Sequence, residues 1–409
     1  MNRTWFLVFS FLVAIVLFFI IFAFYSCTGT TCFGVVGKPE YVNAFIKGQL
    51  VKHSFTSHDL QRERTLNLEG KDVIVYLHMQ KTGGATFGRH LVHNLDVDPP
   101  CKCMKGVKKC VCLTKNNQVW LFSRHSVGWV CGLHADWTEL KSCVDPWFQR
   151  IDKGGRKDRR YHYITMLRDP VKRFFSEWQH VNRGATWAGA RLHCNGRDAT
   201  LEEVPFCFHG EDWEGVTFSE FVNCKSNLAF NRMTRMLGNL SRVNCYNTTG
   251  LDEDLRSKTM VESAKENLLD FAFFGILEEQ SKSQFLFEHT LGIRFINALE
   301  QRENTHVAKL KMTKEMVNLV IRTNQQDIEL YQFAKDLFYQ RVANMEKRLG
   351  YSVQEYFHLY RDHQGGLNSR EEESDLEDDS GMGHGGGGDE KKLPHYPGES
   401  GASQSNHSQ

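Results

Sequence analysis

The run His78-Met-Gln-Lys81-Thr82-Gly83-Gly84-Ala85-Thr86 brings a cation, hydroxyls and two adjacent glycines into nine residues. Such a run suits an anion. Glycines let the backbone turn tightly and approach a ligand, and a helix beginning at their end offers free N–H groups and a partial positive charge. Lys81 adds a full charge, Thr82 and Thr86 add hydroxyl donors, and the cradle so formed needs no metal. A solvated lysine on an ordinary strand-to-helix turn is the plainer reading of K-T-G-G alone. A Walker A loop has a glycine directly before its lysine, where this chain has Gln80, and here the glycines follow the lysine. P-loop kinases are disfavoured on that ground.

Arg168-Asp169-Pro170 supplies a second cationic point. Asp169 can cap a helix and Pro170 can occupy its first turn, which leaves Arg168 at a strand's carboxyl end, where open α/β sheets bind ligands. Its guanidinium fork can clamp a phosphate. Along the expected helix Ser176, His180, Arg183 and Trp187 recur at helical spacing and share one face, a stripe that is otherwise simply solvated. His134 offers an imidazole suited to taking a proton near neutral pH, or is structural, as His125 and His162 illustrate how freely the chain uses histidine. Lys102, Lys105, Lys108 and Lys109 form a basic loop, solvated or facing a polyanion.

Elements must position these groups. Residues 72–78 and 161–167 read as short buried strands, each running into a helical pattern. Further helices are expected at 259–269, 283–290 and 312–348, the last with Leu330, Ala334, Leu337 and Phe338 on one face. Strands alternating with helices point to an α/β fold with a central parallel sheet flanked by helices.

The flanks differ in kind from this body. Residues 5–25 carry no charge and no proline, and at ~1.5 Å per residue they are long enough to cross ~30 Å of hydrocarbon. They read as a transmembrane signal-anchor rather than a cleaved signal peptide, whose apolar stretch would be roughly 7–15 residues ending in small residues. Arg3 precedes the span and Lys38 is the first basic residue after it, so residues 1–4 are expected in the cytoplasm and the body in the lumen. Three sequons, at Asn239, Asn247 and Asn406, agree with that placement, as do 12 cysteines. Cys101, Cys103, Cys110 and Cys112 have spacing that suits a disulfide-stapled hairpin better than zinc; Cys131, Cys143, Cys194, Cys207, Cys224 and Cys245 continue the framework with pairing left open. Residues 26–69 read as a polar stem, 70–361 as the body and 362–409 as a disordered acidic, Gly-rich tail. From residue 371 onward the tail holds a net −8, which leaves +9 on the remainder of a chain whose total is +1. The body is therefore suited to an anionic partner.

The K-T-G-G loop, the L-R-D-P…F-S-E-W-x-H segment and the C-G-L-H-A-D-W-T-E-L stretch around His134 together resemble the heparan-sulfate 6-O-sulfotransferases, in order and spacing, over residues 72–295. The resemblance implies a P-loop-like sulfotransferase fold in a single-pass type II Golgi membrane enzyme. Such an enzyme moves the sulfuryl group of 3′-phosphoadenosine 5′-phosphosulfate to the 6-hydroxyl of glucosamine units in heparan sulfate, mainly N-sulfated ones, with neither metal nor nucleic acid as partner. By position it assigns His78, Met79, Gln80, Lys81, Thr82, Gly83, Gly84, Ala85 and Thr86 to the donor's phosphosulfate, and Arg168 and Ser176 to its 3′-phosphate. Gln301, Thr305, His306 and Val307 fall on a later donor segment, His306 standing where the family has an arginine. Lys108, Lys109, Arg124, Trp129, His134, His180 and Trp187 would line the acceptor groove, with His134 as catalytic base and Lys81 facing the leaving phosphate. A heparin-binding membrane protein without turnover and another carbohydrate sulfotransferase are the alternatives.

Overall fold

A computed structural model describes residues 38–61, 64–68, 71–152, 157–187, 189–299 and 312–364. The apolar span 5–25, the donor-segment residues Gln301, Thr305, His306 and Val307, and the tail beyond 364 lie outside them. Among the described residues no helix is long and apolar enough to cross a membrane.

Helices α1 (Pro39–Ile46) and α2 (Ser57–Leu60) precede strand β1 (Asp72–Leu77) and helix α3 (Gly84–His93). Then come β2 (Leu121–Phe122), α4 (Trp137–Ile151), β3 (Arg160–Leu167) and α5 (Pro170–Val181). A small antiparallel pair, β4 (His193–Cys194) and β5 (Arg197–Asp198), leads to α6 (Phe218–Asn223), α7 (Arg232–Leu237) and α8 (Glu253–Asp270). Strand β6 (Phe273–Ile276) is followed by α9 (Gln280–Leu291), α10 (Lys314–Thr323), α11 (Gln325–Leu349) and α12 (Val353–Gln364).

All six residues of β1 are buried, and the five after Asp72 form the continuous apolar run expected of a strand covered on both faces. The main sheet has the order β2-β1-β3-β6 and is parallel throughout, with Tyr76 opposite Ile164 and Leu77 opposite Thr165. The two expected strands are β1 and β3, and helices flank the sheet as the α/β reading requires. From β1 the chain winds to β2 on one side and then to β3 on the other. The winding therefore reverses beside β1, and the crevice at the carboxyl ends of β1 and β3 is the natural ligand site of such a sheet.

Two expectations need correction. The single helix expected over 312–348 is two, broken at Asn324, whose Nδ2 donates to the Val320 carbonyl at 3.0 Å while its Oδ1 accepts from the Asn231 backbone at 3.0 Å. An asparagine that bonds the backbone in this way competes with the helical ladder. The stem expected over 26–69 is, in its described part, docked on the body. Tyr41 is buried beneath Lys265, the His53 N–H donates to Asp336 at 2.6 Å, and the Arg64 and Leu66 N–H groups donate to the carbonyls of Thr290 and Leu291. A strap whose backbone is satisfied by the polar edge of α11 and the end of α9 needs no periodic apolar pattern, so its sequence looked like linker.

The expected hairpin staple is present: Cys101 pairs with Cys112 and Cys103 with Cys110, across a Lys102–Val111 bridge. The remaining pairs are Cys131–Cys143, Cys194–Cys245 and Cys207–Cys224, and no described cysteine is free.

Candidate active site

The loop after β1 turns sharply. Lys81 is left-handed at φ 62° and Gly83, the residue capping α3, at φ 80°. Tyr76 Oη donates to the Gly84 carbonyl at 3.0 Å, and a Cβ on Gly84 would lie 2.3 Å from His78 Cδ2 and 2.7 Å from Tyr76 Oη. Glycine is thus a steric requirement at position 84. Gly84→Ala should lower stability by about 1–3 kcal/mol through overpacking, read as a fall in melting temperature, and weaken nucleotide binding with it.

Arg168 reaches this loop from the end of β3, its Nη1 donating to the Lys81 carbonyl at 3.0 Å. Its buried Nε has no hydrogen-bond partner among the described residues, and burial draws its pKa down against the carboxylates of Glu278 and Asp169. Such an orphaned, desolvated donor fits an anionic ligand. Asp169 caps α5, accepting from the Lys172 N–H at 2.9 Å, with Pro170 in the first turn as expected. Ala85 and Thr86 lie half-buried in the first turn of α3, and Ser176 is buried in the second turn of α5.

Not every loop side chain is available to a ligand. Met79 is fully buried in the core, and the Thr82 hydroxyl donates to the Met79 carbonyl at 3.2 Å, so both can offer only backbone groups. Gln80 is buried, with Oε1 unpartnered among the described residues.

Beside the loop lies a small open cleft whose lining includes His78, Arg124, Trp129 and His134. The rings of His78 and Trp129 stack at 5.9 Å and 13°, and His134 leans against both at 4.8 Å. Arg124 covers the Trp129 ring at 5.6 Å. His134 Nδ1 lies 3.0 Å from the His78 carbonyl oxygen, which can only accept, so Nδ1 carries the proton and Nε2 keeps the lone pair. Burial lowers the His134 pKa to about 3; the bond to His78 opposes this, while Arg232 and Arg124 reinforce it. The imidazole is therefore neutral across the physiological range, in the tautomer of a base.

Trp187 meets His134 at 6.3 Å and His180 at 5.8 Å. The helical stripe that linked Ser176 to Trp187 holds only as far as His180, because α5 ends at Val181 and Gly184 turns the chain at φ 81°. Trp187 reaches the cleft from the loop beyond, and Arg183 is exposed past the helix end. The stapled hairpin brings Lys109 to the rim, its Cδ 3.2 Å from where a Cβ on Gly128 would stand, while Lys108 is exposed beside it. His93, Cys103 and Cys110 are grouped closely enough for a metal, but both sulfurs belong to one disulfide and lack the thiolate a metal takes.

Two buried charge clusters escaped the sequence reading. Glu177 is fully buried between Arg173 and Arg232, which hold its pKa low against the desolvation that opposes them. Its position between Phe175 and Trp178 was a readable signal, since a carboxylate amid buried aromatics needs a cation. Behind His134, Asp136 and Glu139 cap α4 reciprocally, and Glu139 Oε1 also accepts from the His193 N–H at 2.8 Å. Burial and the neighbouring Asp136 push Glu139 up to about 7. A carboxyl with a raised folded pKa stabilises below its ordinary value of 4.5 and loses that contribution as pH rises through about 7. Melting temperature should accordingly fall across that window in the parent and stay flatter in Glu139→Gln. His134 acts in the opposite sense and in a lower window, its depressed pKa removing stability as pH falls from 6.5 toward about 3.

Comparison with known proteins fits this geometry. The sulfotransferase family model matches residues 64–334. The chain is 50% identical over 298 residues to heparan-sulfate 6-O-sulfotransferase 3-B of Danio rerio, covering 73% of this chain and 71% of that one. This protein belongs to the heparan-sulfate 6-O-sulfotransferase family. Similarity to the type 1 sulfotransferase of Cricetulus griseus is 49% over 292 residues, 71% of this chain and 73% of the relative. With the type 2 sulfotransferase of Homo sapiens it is 45% over 348 residues, 82% of this chain but 58% of that relative's length. Within this sulfotransferase the matched span encloses the anion loop, Arg168 and His134 together.

Proposed function

We propose that the protein transfers the sulfuryl group of 3′-phosphoadenosine 5′-phosphosulfate to the 6-hydroxyl of glucosamine residues in heparan sulfate, N-sulfated ones foremost. The observation that carries this reading is the place of His134, a neutral imidazole with Nε2 unprotonated, between an anion loop and an aromatic cleft rimmed by lysine. Relatives at 45–50% identity are named as heparan-sulfate 6-O-sulfotransferases, which supports this acceptor and position.

An alcohol is a poor nucleophile until its proton is taken. His134 Nε2 accepts that proton as the sugar oxygen closes on sulfur, and the bond from sulfur to the nucleotide's bridging oxygen breaks in line. Negative charge then gathers on the departing phosphate. Lys81 and the N-terminus of α3 meet it, and Arg168 with Ser176 holds the nucleotide's other phosphate. The anionic donor itself offsets the depression of the His134 pKa by bringing negative charge beside a neutral base. Lys108, Lys109, Arg124, Trp129, His180 and Trp187 receive the acceptor, cations toward its sulfates and indoles toward its rings.

The same reading puts the body in the Golgi lumen behind a single-pass type II anchor, supported by residues 5–25, by the five disulfides of the described residues and by partly exposed sequons at Asn239 and Asn247. The deciding experiment incubates the luminal body with sulfate donor and N-sulfated heparan, followed by disaccharide analysis. New 6-O-sulfate is the expected result. Binding of heparan without transfer would make the protein a glycan-binding module, and sulfate at another position would make it a different carbohydrate sulfotransferase. Peptide N-glycosidase should lower the apparent mass of the cellular protein, and an unchanged mass would argue against the luminal placement.

A further inference from the structure

Arg232, at the start of α7, is 4% exposed and faces two ways. Inward, its Nε donates to Glu177 Oε2 at 2.9 Å and its Nη2 to Glu177 Oε1. Toward the cleft, its Cζ lies 5.2 Å from the centre of the Trp187 ring. The support beneath is deep. Arg173 donates to Glu177 and to the Ala229 carbonyl, its Nε is 3.9 Å from Asp327, and Asp327 accepts the N–H groups of Met233 and Thr234 in the first turn of α7. Arg232 is thus fixed through α5, α7 and α11 at once.

Trp187 lies in the irregular segment after α5, its backbone held by an Ala190 N–H that donates to its carbonyl at 2.9 Å rather than by a helix. An indole on a loop samples several orientations, and a ligand that needs one of them must bear the ordering entropy on binding. A guanidinium whose hydrogen bonds are taken by a carboxylate still presents its flat face to an aromatic ring. We infer that Arg232 is a positioning residue for the acceptor: clamped by Glu177, it holds the Trp187 ring against His134 so that the sugar enters along a preformed aromatic wall. The inference rests on the reading of Trp187 as an acceptor residue.

A double-mutant cycle tests it. Arg232→Met with Glu177→Gln removes both members of the pair, so that neither is left as a lone buried charge, while Arg173 keeps the Ala229 carbonyl and Asp327. Measured with N-sulfated heparan, this pair variant should raise the acceptor KM by roughly 30-fold, the value of a desolvated cation–π contact, with kcat falling less than KM rises. Binding of 3′-phosphoadenosine 5′-phosphate should match the parent. In a Trp187→Ala background the same pair of changes should add almost nothing to KM. Arg232→Lys, which keeps a charge over the ring, should recover part of the loss. An equal rise in KM with and without Trp187, or an unchanged KM in the folded pair variant, would overturn the inference. Should the pair variant fail to fold, Arg232→Lys run through the same cycle decides by the same criterion. A Trp187→Ala variant with normal acceptor KM would instead sink the acceptor reading on which the inference rests.

Discussion

His134→Ala should cut turnover on N-sulfated heparan by roughly 10²–10⁴-fold, the range for loss of a general base, while the folded variant binds 3′-phosphoadenosine 5′-phosphate as the parent does. The separation follows from geometry. His134 touches the anion loop at its first residue, by donating to the His78 carbonyl and by packing on the His78 ring at 4.8 Å, and an alanine at 134 leaves the Arg168–Lys81 bond untouched. A structural histidine would behave otherwise, its loss lowering melting temperature, nucleotide binding and turnover together. Position 134 is left-handed at φ 52°, so a second variant, His134→Gly, guards against backbone strain as the cause. Near-normal turnover in both would remove His134 from the reaction and direct attention to His180.

Lys81→Ala should weaken nucleotide binding by about 10- to 150-fold, equivalent to the roughly 1.5–3 kcal/mol of a charge-assisted hydrogen bond, and should lower turnover further because charge on the leaving phosphate goes unmet. Arg168→Ala should weaken binding to a similar degree but spare the chemical step more. Lys81 also holds a strained conformation, at φ 62°. A non-glycine residue there costs roughly 1–2 kcal/mol, so Lys81→Gly should bind nucleotide as poorly as Lys81→Ala yet melt at a higher temperature. Tight nucleotide binding by all three variants in isothermal titration would show that the loop after β1 is not the donor site.

What could be read in advance was whatever the chain encodes locally. The strand before the anion loop, the Asp169-Pro170 start of α5 and the symmetric C-x-C staple each involve residues close in sequence whose types permit few arrangements. Lys81 and Arg168 could be paired because both stand at carboxyl ends of parallel strands, a position the α/β pattern itself implies. Long-range partners left no periodic trace. Arg232 is 55 residues from Glu177, and Tyr41 is packed under Lys265, so neither contact alters the local pattern. The helical stripe that includes Trp187 stops at His180, and its place among the acceptor residues is implied by the resemblance; it reaches the cleft past a turn at Gly184 and lies over the Arg232 guanidinium. Glu139, meanwhile, looks in the sequence like an ordinary capping residue, and only burial beside Asp136 makes it titrate near neutrality.

The docked strap limits how far the body could stand from an anchor. If residues 5–25 sit in the bilayer and the chain is held on the body from Pro39 onward, residues 26–38 alone connect the two, and their fully extended length is at most roughly 45 Å. The body could then neither wander far from its membrane nor turn an arbitrary face to it. Polysaccharide would have to come to the membrane's edge to be modified, and acceptor chains tethered to the same membrane would meet the enzyme at a far higher local concentration than free ones.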